Sequence, residues 1–183
     1  MPPTSPIMRW YNEPSSWQDQ DGVLTVTSGS NTDFWRKTHY GFIRDSGNFY
    51  YCEVAGDFVA EVKVSGNYET LYDQAGLMIR ADSRIWMKCG IEYVGDRQNM
   101  STVITRDYSD WSVMPLSENP DALWLRVKRS GGAIEVFFSL DGEDYPLFRV
   151  AYLSEATVQV GPMVAAPDGN GVSVTFENFQ VLR

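Results

Sequence analysis

The feature that most constrains this chain is the period of its apolar residues, which is two over long stretches and nowhere the 3.6 of a helix. Phe58, Ala60, Val62 and Val64 alternate with Glu61, Lys63 and Ser65, and Ser65-Gly66-Asn67 then supplies turn chemistry. A strand of this kind buries one face and wets the other, which is the habit of antiparallel sheets. Ala75, Leu77 and Ile79 oppose Gln74, Gly76, Met78 and Arg80 in the same way. In the next segment Met87, Cys89, Ile91 and Tyr93 oppose Trp86, Lys88, Gly90 and Glu92. No segment carries an i, i+3, i+4, i+7 stripe through three turns, so the fold is predicted to be all β.

Eight more strands are predicted at Val23–Thr27, Asn48–Val54, Met100–Thr105, Leu123–Arg129, Ile134–Ser139, Leu147–Ala151, Val158–Val164 and Val172–Val181. With the three above they make eleven. Asp21-Gly22, Ser46-Gly47, Gly131-Gly132 and Asp141-Gly142 punctuate them at the spacing of a two-sheet antiparallel jelly-roll sandwich. The slip in phase between Val174, Phe176 and then Phe179, Val181 fits a bulge near Glu177-Asn178, or two separate strand segments. Asp107 to Asp121, with Pro115 and Pro120, is expected to be a surface loop. Met1 to Glu13, with three prolines, is expected to be an extended segment until Trp10 and Trp17 dock on the body. One domain over residues 1–183 accounts for the rest.

Composition narrows the partners. The chain has 183 residues, 15 basic against 24 acidic groups and a net charge of −9. That balance disfavours nucleic acid and anionic lipid, which need a basic surface to displace counterions or meet head groups. No apolar run reaches the roughly 20 residues of a membrane span, and the first residues lack a signal-peptide pattern. Cys52 and Cys89 each sit in an aromatic or apolar run, as buried thiols in a reducing cytoplasm would. Two cysteines and one histidine cannot build a tetrahedral zinc site, and neither a metal nor a cofactor is expected. A monomer or weak dimer is the expectation for assembly.

Three groups could carry chemistry. On the polar strand faces, Gln74, Arg80, Trp86, Lys88 and Glu92 suit a concave sugar site, where rings cover C–H faces and polar groups take hydroxyls. The plainer reading of the same residues, and the one favoured for any single pair, is a cross-strand ion pair of Arg80 and Glu92 with Trp86 as packing. Thr32 to Tyr40 is an aromatic, donor-rich loop containing Trp35 and the lone His39, whose nucleophile-free surroundings favour a structural role over general base chemistry. Thr105 to Ser112 repeats that chemistry with Asp110 and Trp111. Glycosidase action needs two carboxyls about 5 to 9 Å apart, and no strand face alternates acids to supply them.

Five long strings are recognisable in order: Asp33-Phe34-Trp35-Arg36, Thr38-His39-Tyr40-Gly41-Phe42, Tyr72 to Arg80, Trp86 to Tyr93, and Ser109-Asp110-Trp111-Ser112. With Trp124-Leu125-Arg126, Ser139-Leu140-Asp141-Gly142 and Val160-Gly161-Pro162, the chain resembles domain-of-unknown-function family 1349, whose members include a fungal enolase-regulating protein. The resemblance spans nearly the whole chain and implies a concanavalin A-like lectin/glucanase sandwich. It brings no catalytic residues. By fold analogy it implies a glycan or small sugar-derived ligand, with Trp35, Trp86 and Trp111 stacking and His39, Gln74, Arg80, Lys88 and Glu92 hydrogen-bonding. It also implies a second reading, a regulatory partner of a metabolic enzyme. A third is a polysaccharide lyase or glycosidase, because Gln74, His39, Tyr72, Lys88 and Arg80 are the residue types a uronate lyase uses.

Overall fold

The computed structural model describes residues 6–183, which form sixteen strands and no helix. One sheet runs in the order β1 (Arg9–Tyr11), β6 (Asn48–Val54), β15 (Val158–Ala165), β8 (Gln74–Arg80), β9 (Ile85–Tyr93), β10 (Gln98–Arg106) and β11 (Tyr108–Pro115). The other runs β14 (Leu147–Tyr152), β13 (Ala133–Ser139), β12 (Leu123–Ser130), β7 (Phe58–Gly66), β16 (Ser173–Leu182), β3 (Val23–Thr27) and β2 (Ser16–Gln20). A short hairpin, β4 (Phe34–Arg36) and β5 (Ile43–Asp45), stands apart from both. All pairings are antiparallel, giving the predicted sandwich.

The alternation read from the sequence decides which side chains meet between the sheets. Leu77 and Ile79 of β8 and Met87, Cys89 and Ile91 of β9 face Ala60, Val62 and Val64 of β7 and Leu123, Leu125 and Val127 of β12, all at most 3% exposed. Burying an aliphatic side chain of this kind contributes about 1.5–3 kcal/mol, so this layer dominates the cohesion of the fold. All eleven predicted strands are present. The slip in β16 is a bulge: its pairing with β7 shifts between Glu177 and Gln180, and Asn178 takes a left-handed φ of 56°.

Two segments depart from expectation. Asp107 to Asp121 is not simply a loop, because Tyr108–Pro115 is β11, paired with β10 from Arg106↔Tyr108 to Asn99↔Pro115. As an edge strand with only Ser109 fully buried, it has no apolar alternation to betray it. The aromatic stretch from Thr32 likewise contains β4. In Met1 to Glu13, residues 1–5 lie outside the described residues and 9–11 form β1. Trp10 docks as expected, 4.8 Å from Tyr50 and 5.4 Å from Trp17 between ring centroids.

The β4–β5 hairpin lies on the outer face of the first sheet. Phe34 and Trp35 cover Phe49, Met78, Trp86 and Val103, making a second apolar core on the side where one-sided strands would meet water. Polar ties hold it there. Arg80 donates from both terminal nitrogens to the Asp45 carboxylate, at 2.7 and 3.0 Å. The Arg36 backbone N–H donates to Ser109 Oγ at 2.9 Å. Asp107, at the β10–β11 turn, gathers Arg36, Lys37 and Arg84. Those bonds, led by Lys37, hold its carboxyl well below the usual carboxylate range.

Candidate functional site

Beside this second core the hairpin touches β11 at Ser109, and next to that contact a cavity of about 300 Å³ opens on the outer face of the first sheet. Gln74, Lys88, Glu92 and Val103 form its floor, all drawn from the outward-facing positions of β8, β9 and β10. Trp35, Tyr40, Phe42 and Arg44 of the hairpin make one wall, and Tyr72 and Trp111 make the opposite side. Two loops close an end with Asn31, Asp33, Pro167 and Asp168. Rings and charges therefore alternate around a space open to solvent.

The floor is bare between Lys88 and Glu92 because the intervening outward residue is Gly90, paired with Gly76 across the strands. Gly90 has a φ of 151°, and a Cβ on it would stand 2.1 Å from the Ala75 carbonyl oxygen. A Cβ on Gly76 would come within 1.8 Å of the Cys89 carbonyl oxygen. Any larger residue at this pair would force β8 and β9 apart directly beneath the cavity.

Two charged groups lie in this floor. Lys88 donates to the Phe34 carbonyl at 2.7 Å and to Asp33 at 3.3 Å, so it pins the hairpin to the sheet and its charge is met by Asp33. Glu92 is 8% exposed. Its Oε2 accepts from Ser101 Oγ at 2.6 Å and from the Trp111 indole N–H at 2.9 Å. Burial pushes the Glu92 carboxyl up from its ordinary value, against the opposing pull of Lys88 and these two donors. Tyr72 and Tyr40 share a hydroxyl bond of 3.2 Å across the mouth, and that bond, reinforced by burial, pushes Tyr72 up to about 12. Tyr72 is thus a neutral donor–acceptor at any physiological pH. Among the described residues no cluster of three or more His, Cys, Asp or Glu side chains could hold a metal ion.

The structure brings Trp35, Tyr72, Gln74, Lys88, Glu92 and Trp111 together in the cavity. The other four predicted site residues are elsewhere. Trp86 is 1% exposed beneath Phe34, at 6.1 Å between ring centroids, and cannot stack on a ligand. Arg80 is 4% exposed and committed to Asp45, with Tyr11 at 4.5 Å from its guanidinium. It does not pair with Glu92, because Gln74 stands opposite Glu92 and Trp86 opposite Arg80. His39 is exposed at the hairpin tip, edge-on to Tyr40, with a φ of 63°. Asp110 points to solvent on β11. The residue set of the lyase reading is thus divided, with Arg80 and His39 outside the cavity that holds Gln74, Tyr72 and Lys88.

Asn31, Phe42, Arg44, Val103, Pro167 and Asp168 were not anticipated as site residues. Asp168 precedes a glycine and reads as a turn, and Arg44 belongs to a strand of three residues. Only the folding of the hairpin over the sheet brings them to the same cavity.

The model of the family described as a protein of unknown function, DUF1349, matches residues 10–183. The chain belongs to that family. Regulation of enolase protein 1 of Saccharomyces cerevisiae is 40% identical over 173 residues, covering 94% of this chain and 87% of that protein. The crystal structure of a functionally unknown protein from Saccharomyces cerevisiae superposes with a TM-score of 0.92 at 40% identity, over 95% of each chain. A carbohydrate-binding module, CBM66 from Bacillus subtilis, shares the fold with a TM-score of 0.59 at 14% identity, over 95% of each chain. The DUF1349 chain is therefore a β-sandwich of the architecture that carbohydrate-binding modules also use.

Proposed function

We propose that this DUF1349 protein binds a carbohydrate or sugar-derived ligand in the cavity between the β4–β5 hairpin and β11. The observation that carries the proposal is the lining itself: Trp35, Tyr40, Tyr72 and Trp111 offer ring faces or edges, while Gln74, Glu92, Asn31 and Asp168 offer hydrogen-bonding groups at a few fixed points. Apolar C–H patches of a pyranose or furanose pack on rings, and its hydroxyls need convergent polar partners. The fold shared with a carbohydrate-binding module supports the reading by analogy.

Binding without turnover is the simpler form of this proposal. Glu92 and Asp33 both line the cavity, and Asp33 is already bonded to Lys88, which ties it to the hairpin anchor. A thermal-shift screen against a glycan and sugar-metabolite library tests the reading, because a ligand selective for the folded state raises the melting temperature. Hits abolished by Trp111→Ala are expected; a library without one hit would overturn it.

The 40% identity to a protein named for enolase regulation favours a second reading, in which the chain acts on a metabolic enzyme. Purified enolase assayed with and without the protein tests it directly. Unchanged kinetics together with no measurable complex would remove it.

A further inference from the structure

We infer that the cavity takes a sugar unit presenting hydroxyl or ammonium donors, and that it rejects sugar acids and sugar phosphates, with Glu92 Oε1 as the anchoring acceptor. The inference rests on the carbohydrate reading above and specifies the ligand's polarity.

The floor groups differ in what they have left to offer. Among the described residues Lys88 is the one buried cation in the lining, and it is spent: its ammonium donates to the Phe34 carbonyl and to Asp33. An anionic ligand would have to compete with a backbone acceptor and a carboxylate already in place. Glu92 is the opposite case. Ser101 and Trp111 both donate to Oε2, and among the described residues no side chain or backbone N–H donates to Oε1. The residue is more than nine-tenths buried, yet Oε1 is not one of the fully buried unpartnered atoms, so what exposure Glu92 keeps includes this oxygen, which opens onto the cavity it lines. A solvent-facing acceptor with no protein donor is free to take a ligand donor in place of water.

The remaining charges point the same way. Asp168 stands at the closed end and Asp33 beside Lys88, while Arg44, the other cation of the lining, is exposed and lies over the Phe42 ring at 4.6 Å. A carboxylate or phosphate seated on the floor would find its buried cation, Lys88, already committed and would lie among the Asp33 and Asp168 carboxylates, whose charge disfavours another anion. A hydroxyl meets an acceptor instead. The Trp111 indole, held in place by its bond to Glu92, is positioned to cover the ring of the same unit. The space of about 300 Å³ is at the small end of ligand pockets, which suits one unit seated on the floor.

The test is calorimetric titration of the full chain with the methyl glycosides of xylose, glucose, glucosamine and glucuronic acid, and with glucose 6-phosphate, at one ionic strength near pH 7. The neutral or amino glycosides are expected to bind at least about tenfold more tightly than the acid and the phosphate. Glu92→Gln, which can turn an amide donor toward the ligand, is expected to narrow that gap by about the same factor. Equal or tighter binding of the glucuronide or the phosphate would overturn the inference and leave the carbohydrate reading standing. Binding of none of the five, beside a library screen without hits, would take both down. The comparison among ligands on the unmodified protein stands even if Glu92→Gln folds poorly.

Discussion

Trp86 separates the packing role of an aromatic residue from a binding role most sharply. Its indole is 1% exposed, lies beneath Phe34 and shares a closed layer with Phe49, Met78 and Val103 on the outer face of the first sheet. Trp86→Ala removes the more deeply buried of the two tryptophans in that layer, and the backbone of a central strand cannot collapse to fill the space. Substitutions of this kind cost about 3–5 kcal/mol. For a chain of this length each kcal/mol moves the melting temperature by roughly 2–4 °C, so a fall of about 6–20 °C is expected. Urea unfolding followed by far-ultraviolet circular dichroism and by tryptophan fluorescence reads the loss. Trp111, 36% exposed on an edge strand, supplies the contrast: Trp111→Ala removes its bond to Glu92 and should cost about 1–3 kcal/mol, less than Trp86→Ala. A Trp86→Ala variant within about 1 kcal/mol of the parent would refute the second core.

Asp45→Ala leaves the Arg80 guanidinium buried without its carboxylate and is expected to destabilise by about 2–4 kcal/mol; chemical denaturation should show it, whereas Glu177→Ala, which breaks a half-exposed pair with Lys63, should cost under about 1 kcal/mol. Asp107 has a depressed folded-state pKa, so its stabilisation is complete above the unfolded value of 3.8 and is lost as pH falls below it. Asp107→Asn should therefore lower the melting temperature at pH 7, less so in high salt, and flatten the acid limb of the stability curve. Glu92 has the reverse sign. With its folded-state pKa raised above 4.5, the folded form binds more protons, so its contribution is full below about pH 4.5 and declines as pH rises through the folded value. The difference in melting temperature between the parent and Glu92→Gln should fall across that window, and a constant difference would contradict the burial argument.

The interior strands were legible because burial on one face writes a period of two. Val23–Thr27 and Asn48–Val54 are bounded in the structure as they are in the sequence. The strands missed are those that bury little or are short: β2 is exposed along its whole length, β1, β4 and β5 have three residues each, and β11 buries only Ser109. The site was legible by face and not by depth. Alternation placed Gln74, Arg80, Trp86, Lys88 and Glu92 on one side of the sheet correctly, but it cannot say which part of that side a distant hairpin covers. The hairpin falls over Trp86 and Arg80 and leaves Gln74, Lys88 and Glu92 in the open cavity. That division depends on long-range ties such as Arg80 to Asp45 and Lys88 to the Phe34 carbonyl, to which no local pattern corresponds.

The six tryptophans allow the central claim to be read in one spectrum. In a ¹H–¹⁵N correlation spectrum of the indole N–H groups, titrated with a neutral methyl glycoside, the resonances of Trp111 and Trp35 should shift, since one indole bonds Glu92 and the other the Thr38 carbonyl at the cavity wall. Those of Trp17 and Trp124, away from the cavity, should stay still. Saturable shifts confined to Trp17 or Trp124, or an unchanged spectrum at high ligand concentration, would contradict a sugar site between the hairpin and β11.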